Sequence, residues 1–204
     1  MITVANLSKK YGNKILFNDL NFTINKGDFV IISGKSGCGK TTLLNIIGGI
    51  ERADAGSVIV NGIDVTKKMD KRTYYGKTLS FIFQNFALIE NKTVKQNFDI
   101  IGTKNKSGIT YDEALKKVDM PDKLHEKVYS LSGGEQQRIA LARTYLKKAE
   151  LILADEPTGS LDKENADRAM NILKDLNREG KTIIIVTHDE NIKKQAPKII
   201  ELEN

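Results

Sequence analysis

The chain of 204 residues predicts as an α/β protein built on a mostly parallel sheet. Three features carry that reading. Leu151-Ile152-Leu153-Ala154 and Ile183-Ile184-Ile185-Val186 are continuous apolar runs, lacking the alternation of a half-solvated strand, and suit strands covered on both faces. The helical pattern Lys163–Arg178 fills the interval between them. A third apolar run, Phe29-Val30-Ile31-Ile32, leads straight into a glycine-rich loop and a helix-like segment.

Along the chain, short β-rich runs come first, over residues 3–7, 18–24 and 29–32. After the glycine-rich loop, Leu and Ile spaced for burial predict a helix over 40–48. Residues 58–60 read as a strand ending in a tight turn at Asn61-Gly62. Residues 79–83 are another strand, ending at Gln84. From about 93 to 130 apolar positions thin out and lysines increase, which predicts a small helical subdomain inserted in the core. Within it, 111–118 reads as a short amphipathic helix with Leu115 and Val118 on its apolar face. A helix over 135–147 follows the turn Leu131-Ser132-Gly133-Gly134-Glu135, and the last strand is 198–202. No internal repeat, low-complexity tract or long linker interrupts this order, so one core is expected.

Bulk composition narrows the function classes. Hydrophobic content of 40% and charged content of 28% fit a soluble globular protein. No apolar run approaches the roughly 20 residues that cross a bilayer, and the strand-like N-terminus has no signal-peptide pattern. The expected location is cytoplasmic, so action at a membrane needs a second polypeptide. A single cysteine excludes an internal disulfide and a cysteine-rich zinc site. The net charge of +6 is spread along the chain without interleaved aromatics, so no nucleic-acid partner is expected. A basic surface could still favour anionic lipid headgroups.

Four sites carry chemistry. Gly34-Lys35-Ser36-Gly37-Cys38-Gly39-Lys40-Thr41 matches the P-loop pattern G-x-x-x-x-G-K-[ST] at every fixed position, between an apolar strand and a helix. Its glycines let backbone amides approach phosphates, Lys40 neutralises β and γ charge, and the Thr41 hydroxyl suits Mg²⁺. Cys38 is a small spacer whose place near a helix N-terminus could make its thiol reactive. Asp155-Glu156 ends a buried strand, the edge where open α/β sheets bind ligands; the first carboxylate suits Mg²⁺ and the second could activate water. The turn Ser132-Gly133-Gly134 at a helix start is a second anion cradle. Two phosphate-binding surfaces for one nucleotide core make sense when two copies face each other. His188 follows a core strand and reaches the same phosphate edge, whereas His125 reads as exposed surface.

Together these motifs resemble those of ABC-transporter ATPases, essentially end to end and in that family's order. Leu131-Ser132-Gly133-Gly134-Glu135 is similar to the signature motif, Gln84 to the Q-loop glutamine, Gly159-Ser160-Leu161-Asp162 to the D-loop, and Thr187-His188-Asp189 to the switch histidine. Tyr11 looks like the aromatic residue that stacks on adenine. The stretches around Phe83-Gln84-Asn85-Phe86 and residues 154–162 resemble the lipoprotein-release, macrolide-efflux, cell-division and bacteriocin-export branch. Glu135 stands where glutamine is commoner, the helical insert is short, and the segment before Leu131 lacks the TEVG-like stretch of large multidrug exporters.

The resemblance implies one ABC ATPase domain over 1–204: a P-loop NTPase core with a mostly parallel sheet, an antiparallel β subdomain and a helical subdomain over approximately 86–147. It implies ATP and Mg²⁺ as cofactors. Tyr11, Gly34, Ser36, Gly37, Cys38, Gly39, Lys40, Thr41, Thr42, Ser132, Gly133 and Gly134 would bind nucleotide. Thr41, Gln84 and Asp155 would hold the metal, and Glu156, His188 and Gln84 would serve catalysis. The implied partners are a second copy, closing head to tail over two ATP, and an integral membrane permease at the cytoplasmic face of an export system. The alternative is a mechanical regulator of an envelope-acting membrane protein, whose ATPase residues would be identical. Translation and repair members of the family need twin cores or long coiled coils, and a simple P-loop kinase leaves the signature turn unexplained.

Overall fold

The computed structural model describes residues 1–202. Strands β1 (Ile2–Tyr11) and β2 (Lys14–Ile24) form a long antiparallel hairpin. Both run well beyond the expected 3–7 and 18–24, because bulges break the in–out alternation that marks a strand in sequence. Register shifts fall between Val4 and Leu7 and again at Lys9, with Asn6 and Asp19 in left-handed conformations. Strand β3 (Phe29–Ser33) leads through the glycine-rich loop into helix α1 (Lys40–Ile47). Strands β4 (Ala55–Val60) and β5 (Ile63–Asp64) complete a four-stranded antiparallel sheet in the order β2-β1-β4-β5.

A short helix α2 (Lys71–Thr73) continues into a π-helical turn, Tyr74–Thr78, that lacked a sequence signal. Its anchor is Tyr74, fully buried, whose hydroxyl donates to the Ile47 carbonyl at 2.6 Å. Strand β6 (Leu79–Ile82) follows. Between β6 and the next strand the chain makes α3 (Val94–Asp99), α4 (Tyr111–Lys116) and α5 (Gly133–Tyr145). Helix α4 stops two residues before the expected 118, where Asp119 turns left-handed; Leu115 and Val118 are nonetheless buried. Helix α3 lies at the start of the segment expected to be helical but was not placed individually, although its start is written in a Thr93/Gln96 capping box.

Strand β7 (Leu151–Asp155), helix α6 (Lys163–Arg178), strand β8 (Thr182–Val186), helix α7 (Glu190–Lys193) and strand β9 (Lys198–Glu201) close the chain. The five parallel strands lie in the order β6-β7-β8-β3-β9. Residue by residue, β3, β7 and β8 feed two cores. Phe29, Ile31, Ile152, Ala154, Ile183 and Ile185 pack with α3 to α6. Val30, Ile32, Leu151, Leu153, Ile184 and Val186 pack with α1 and the antiparallel sheet. Two covered faces explain the unbroken apolar runs.

Candidate active site

The C-terminal ends of β3, β7 and β8 meet at one edge of the parallel sheet. From β3 the loop begins at Gly34, where an added Cβ would lie 2.6 Å from the Leu202 carbonyl and 2.7 Å from Cys38 Sγ. Only glycine fits there. Gly39, left-handed at φ 102, turns the chain into α1. Lys40 is almost fully buried, and its ammonium donates to the carbonyls of Gly34 (2.8 Å) and Lys35 (2.9 Å), which holds the charge against the loop.

Thr41 is the first link to the neighbouring strand. Its hydroxyl donates to Asp155 Oδ1 at 3.0 Å. Burial pushes the Asp155 carboxyl above its ordinary value; the Thr41 hydroxyl opposes that, the Glu156 charge adds to it, and Lys40 pulls back. Among the described residues no cluster of three or more His, Cys, Asp or Glu could hold a metal ion by itself.

Glu156 sits at φ 44, a left-handed conformation unusual for glutamate, and its N–H donates to the Val186 carbonyl at 2.9 Å. The carboxylate accepts from the Thr187 hydroxyl at 3.0 Å and from His188 Nδ1 at 2.7 Å. The Nδ1 hydrogen is thereby committed to Glu156, leaving Nε2 of the exposed ring free. Sequence reasoning had both Glu156 and His188 but neither their contact nor Thr187 as second anchor.

These groups open on a pocket of about 620 Å³. Ser36, Gly37, Gly39, Lys40, Thr41 and Thr42 form its floor, and Glu156 and His188 its far wall. Tyr11, Lys14 and Leu16 from the β1–β2 hairpin form the near wall. Tyr11 is half exposed, its hydroxyl bonded to Glu51 and its ring 4.9 Å from the Lys9 ammonium. Lys14 and Leu16 were missed by sequence reasoning, since nothing short of the hairpin pairing brings them to the loop.

Other expected residues lie elsewhere. Gly34 and Cys38 are loop residues that line a neighbouring cavity instead, and Cys38 is 1% exposed: a packed spacer, not the reactive thiol its position could have made. Gln84 is exposed in the turn after β6; its amide nitrogen lies 3.9 Å from the Cβ position of Gly159, which is itself 3.6 Å from Glu156 Cβ. Ser132, Gly133 and Gly134 do not line the pocket. They begin α5, which starts two residues before the expected 135 because Ser132 and Glu135 form a capping box. The Ser132 N–H donates to Glu135 Oε2 at 2.8 Å and the Glu135 N–H to Ser132 Oγ at 3.3 Å. Glu135 therefore caps the helix, a role its spacing from Ser132 could have indicated.

A glycine loop between a buried parallel strand and a helix, its lysine and threonine set against a carboxylate at the end of another strand, defines a nucleotide-binding P-loop protein. The family profile described as "ABC transporter" matches residues 17–159, and the chain belongs to that family. It is an ABC-type ATPase. It is 37% identical to the ABC transporter ATP-binding protein YvrO of Bacillus subtilis over 98% of this chain and 92% of that one. It is also 37% identical to the macrolide export ATP-binding/permease protein MacB of Campylobacter jejuni, over 100% of this chain but only 33% of MacB. Among solved structures, the dimeric bacterial ABC transporter cassette MJ0796 superposes with a TM-score of 0.87 at 35% identity, covering 99% of this chain and 94% of that one. MJ0796 in a dimeric post-hydrolysis state bound to ADP and Pi gives 0.84 at 33% identity, covering 100% and 94%. The relatives are consistent with the macrolide-export-type branch.

Proposed function

We propose that this chain is the ATP-driven half of an exporter: two copies close head to tail over two ATP at the cytoplasmic face of a membrane and drive a separate permease. One observation carries the shared site. Ser132 and Gly133 are exposed at the head of α5 and do not line the chain's own pocket, so their anion-binding turn is left for a nucleotide held by another copy. The dimeric state of MJ0796 and the fused export permease in MacB's name support the same arrangement. Among the described residues no helix is long and apolar enough to cross a membrane, so the permease is a different polypeptide segment.

In this reading the loop amides of Ser36, Gly37 and Gly39, with Lys40 and Thr42, hold the phosphates while Tyr11 stacks on adenine. Cys38 and Gly34 keep the loop backbone in place. Thr41 Oγ1 and Asp155 Oδ1, 3.0 Å apart, are hard oxygen donors that would hold Mg²⁺, with the Gln84 side chain as a further oxygen donor. Mg²⁺ would neutralise charge developing on the transferred phosphoryl group. Glu156 takes the proton from the attacking water, held in place by Thr187 and His188, whose free Nε2 is the group for the γ-phosphate. Residues 86–147 act as the helical subdomain that passes closure to the permease.

The test is Glu156→Gln. The amide keeps the Thr187 contact but cannot accept a proton. ATP should bind normally, turnover should fall by about two to four orders of magnitude, and ATP with Mg²⁺ should trap a dimer by light scattering. A variant that turns over normally and stays monomeric with ATP would sink the reading.

A further inference from the structure

The loop that carries Gln84 is held in an unusual way. Phe86 and Ala87, two and three residues after it, are both left-handed, at φ 61 and 47, a conformation that successive non-glycine residues adopt only when other contacts impose it. Helix α5 supplies those contacts. Arg143 donates from one guanidinium nitrogen to the Ala87 carbonyl at 2.7 Å and from the other to the Phe86 carbonyl at 3.2 Å. On the far side of the same loop, fully buried Asn97 of α3 accepts from the Ile89 N–H at 2.8 Å and donates to the Ile89 carbonyl at 3.1 Å. The loop is therefore clamped from two helices. The clamp from α5 uses the planar fork of arginine on two consecutive carbonyls, a geometry one lysine ammonium does not reproduce.

We infer that Arg143 is a positioning residue for hydrolysis: by gripping the Phe86 and Ala87 carbonyls it fixes the turn that presents Gln84 beside Glu156 and Gly159. This rests on the role given to Gln84 above. Arg143 belongs to the same helix whose first turn is Ser132-Gly133-Gly134. Helix α5 thus joins the exposed turn to the Gln84 loop through Arg143. Arg143 does not line the nucleotide pocket, so its loss removes no direct contact to ATP.

The experiment is a double-mutant cycle in steady-state ATPase kinetics with the full chain: wild type, Arg143→Met, Gln84→Ala and the double variant, each with its thermal midpoint. Arg143→Met keeps the aliphatic stem and removes both donors. It should lower kcat about ten- to a hundredfold, the scale of a misplaced catalytic group, with KM for ATP unchanged. The double variant should be no slower than Gln84→Ala alone, because Arg143 acts through Gln84. Arg143→Lys, with one donor position, should be intermediate, and it carries the same cycle if the Met variant does not fold. Losses that multiply in the double variant, or a raised KM at unchanged kcat, overturn the inference while leaving the role of Gln84 intact. Full activity in Gln84→Ala overturns that role, and the inference with it.

Discussion

The two glycines of the signature turn look equivalent in sequence and should behave oppositely on substitution. A Cβ on Gly134 would lie 2.5 Å from both Cγ and Oδ1 of Asn165 and 2.8 Å from its Nδ2. Asn165 cannot simply swing aside. Its Oδ1 accepts from Arg138 at 2.6 Å and its Nδ2 donates to Asp162 Oδ2 at 2.8 Å. Moving the amide breaks one bond to a charged donor, about 1.5–3 kcal/mol, and a second to the exposed Asp162 carboxylate, which water can replace. Alanine returns up to about 1 kcal/mol of helix propensity. The net for Gly134→Ala is a loss of about 2 kcal/mol, or about 4–8 °C in thermal midpoint for a chain of this size. A Cβ on Gly133 meets nothing within 4 Å, so Gly133→Ala should be neutral or stabilising by about 0.5 kcal/mol. Thermal unfolding of both variants without nucleotide, followed by circular dichroism, reads the difference. An unchanged midpoint for Gly134→Ala, or a larger loss for Gly133→Ala, would refute the assignment of Gly134 as a packing residue of α5 on α6.

Two further outcomes follow from the same geometry. The Ser132 N–H bond holds the Glu135 carboxyl below the ordinary glutamate range, against a raising effect of burial. Its contribution to stability is therefore fully present above the unfolded value of about 4.3 and is lost as the pH falls through the lower folded value. Glu135→Gln keeps a cap acceptor but should flatten that acid-side slope in thermal midpoint against pH; an unchanged slope would refute the ionic part of the cap. Cys38, at 1% exposure and packed under Gly34, should resist a soluble maleimide equally with and without ATP, and label only as the chain unfolds. Rapid labelling of the native protein would place the thiol outside the core.

Sequence made the parallel core legible because burial on both faces leaves a composition signal: β3, β7 and β8 are apolar at almost every position. The phosphate loop was equally plain, since its glycines and lysine sit at fixed spacing. The hairpin was truncated because Asn6, Asp19 and three register shifts interrupt its alternation, and the truncation hid Lys14 and Leu16 from the pocket. The π-turn around Tyr74 was invisible, because what anchors it is non-local: burial of the Tyr74 ring in the core and its hydroxyl bond to the Ile47 carbonyl, 27 residues away. Thr187 was passed over beside His188, although its hydroxyl, like the His188 ring, bonds the Glu156 carboxylate. Such contacts depend on strand ends meeting across β7 and β8, which no local pattern records.

Helix α5 explains why several buried polar side chains are tolerated where apolar ones would pack more cheaply. Gln137 is fully buried, and its Nε2 donates to the Pro157 carbonyl at 2.7 Å, directly after Glu156, while its Oε1 has no protein partner. Arg138 bonds Asn165 at the start of α6, with its Nε likewise unpartnered. An orphaned buried acceptor or donor costs about 1–3 kcal/mol, so neither side chain is the stable choice for a core. Arg143 adds the bonds to the Gln84 loop. Three polar residues on one helix thus reach the Glu156 turn, the segment entering α6 and the Gln84 loop, and that helix begins with the exposed Ser132-Gly133 turn. The arrangement gives up stability to make one rigid element answerable to all three loops. A helix of that kind is what the proposed sharing of the site between two copies calls for.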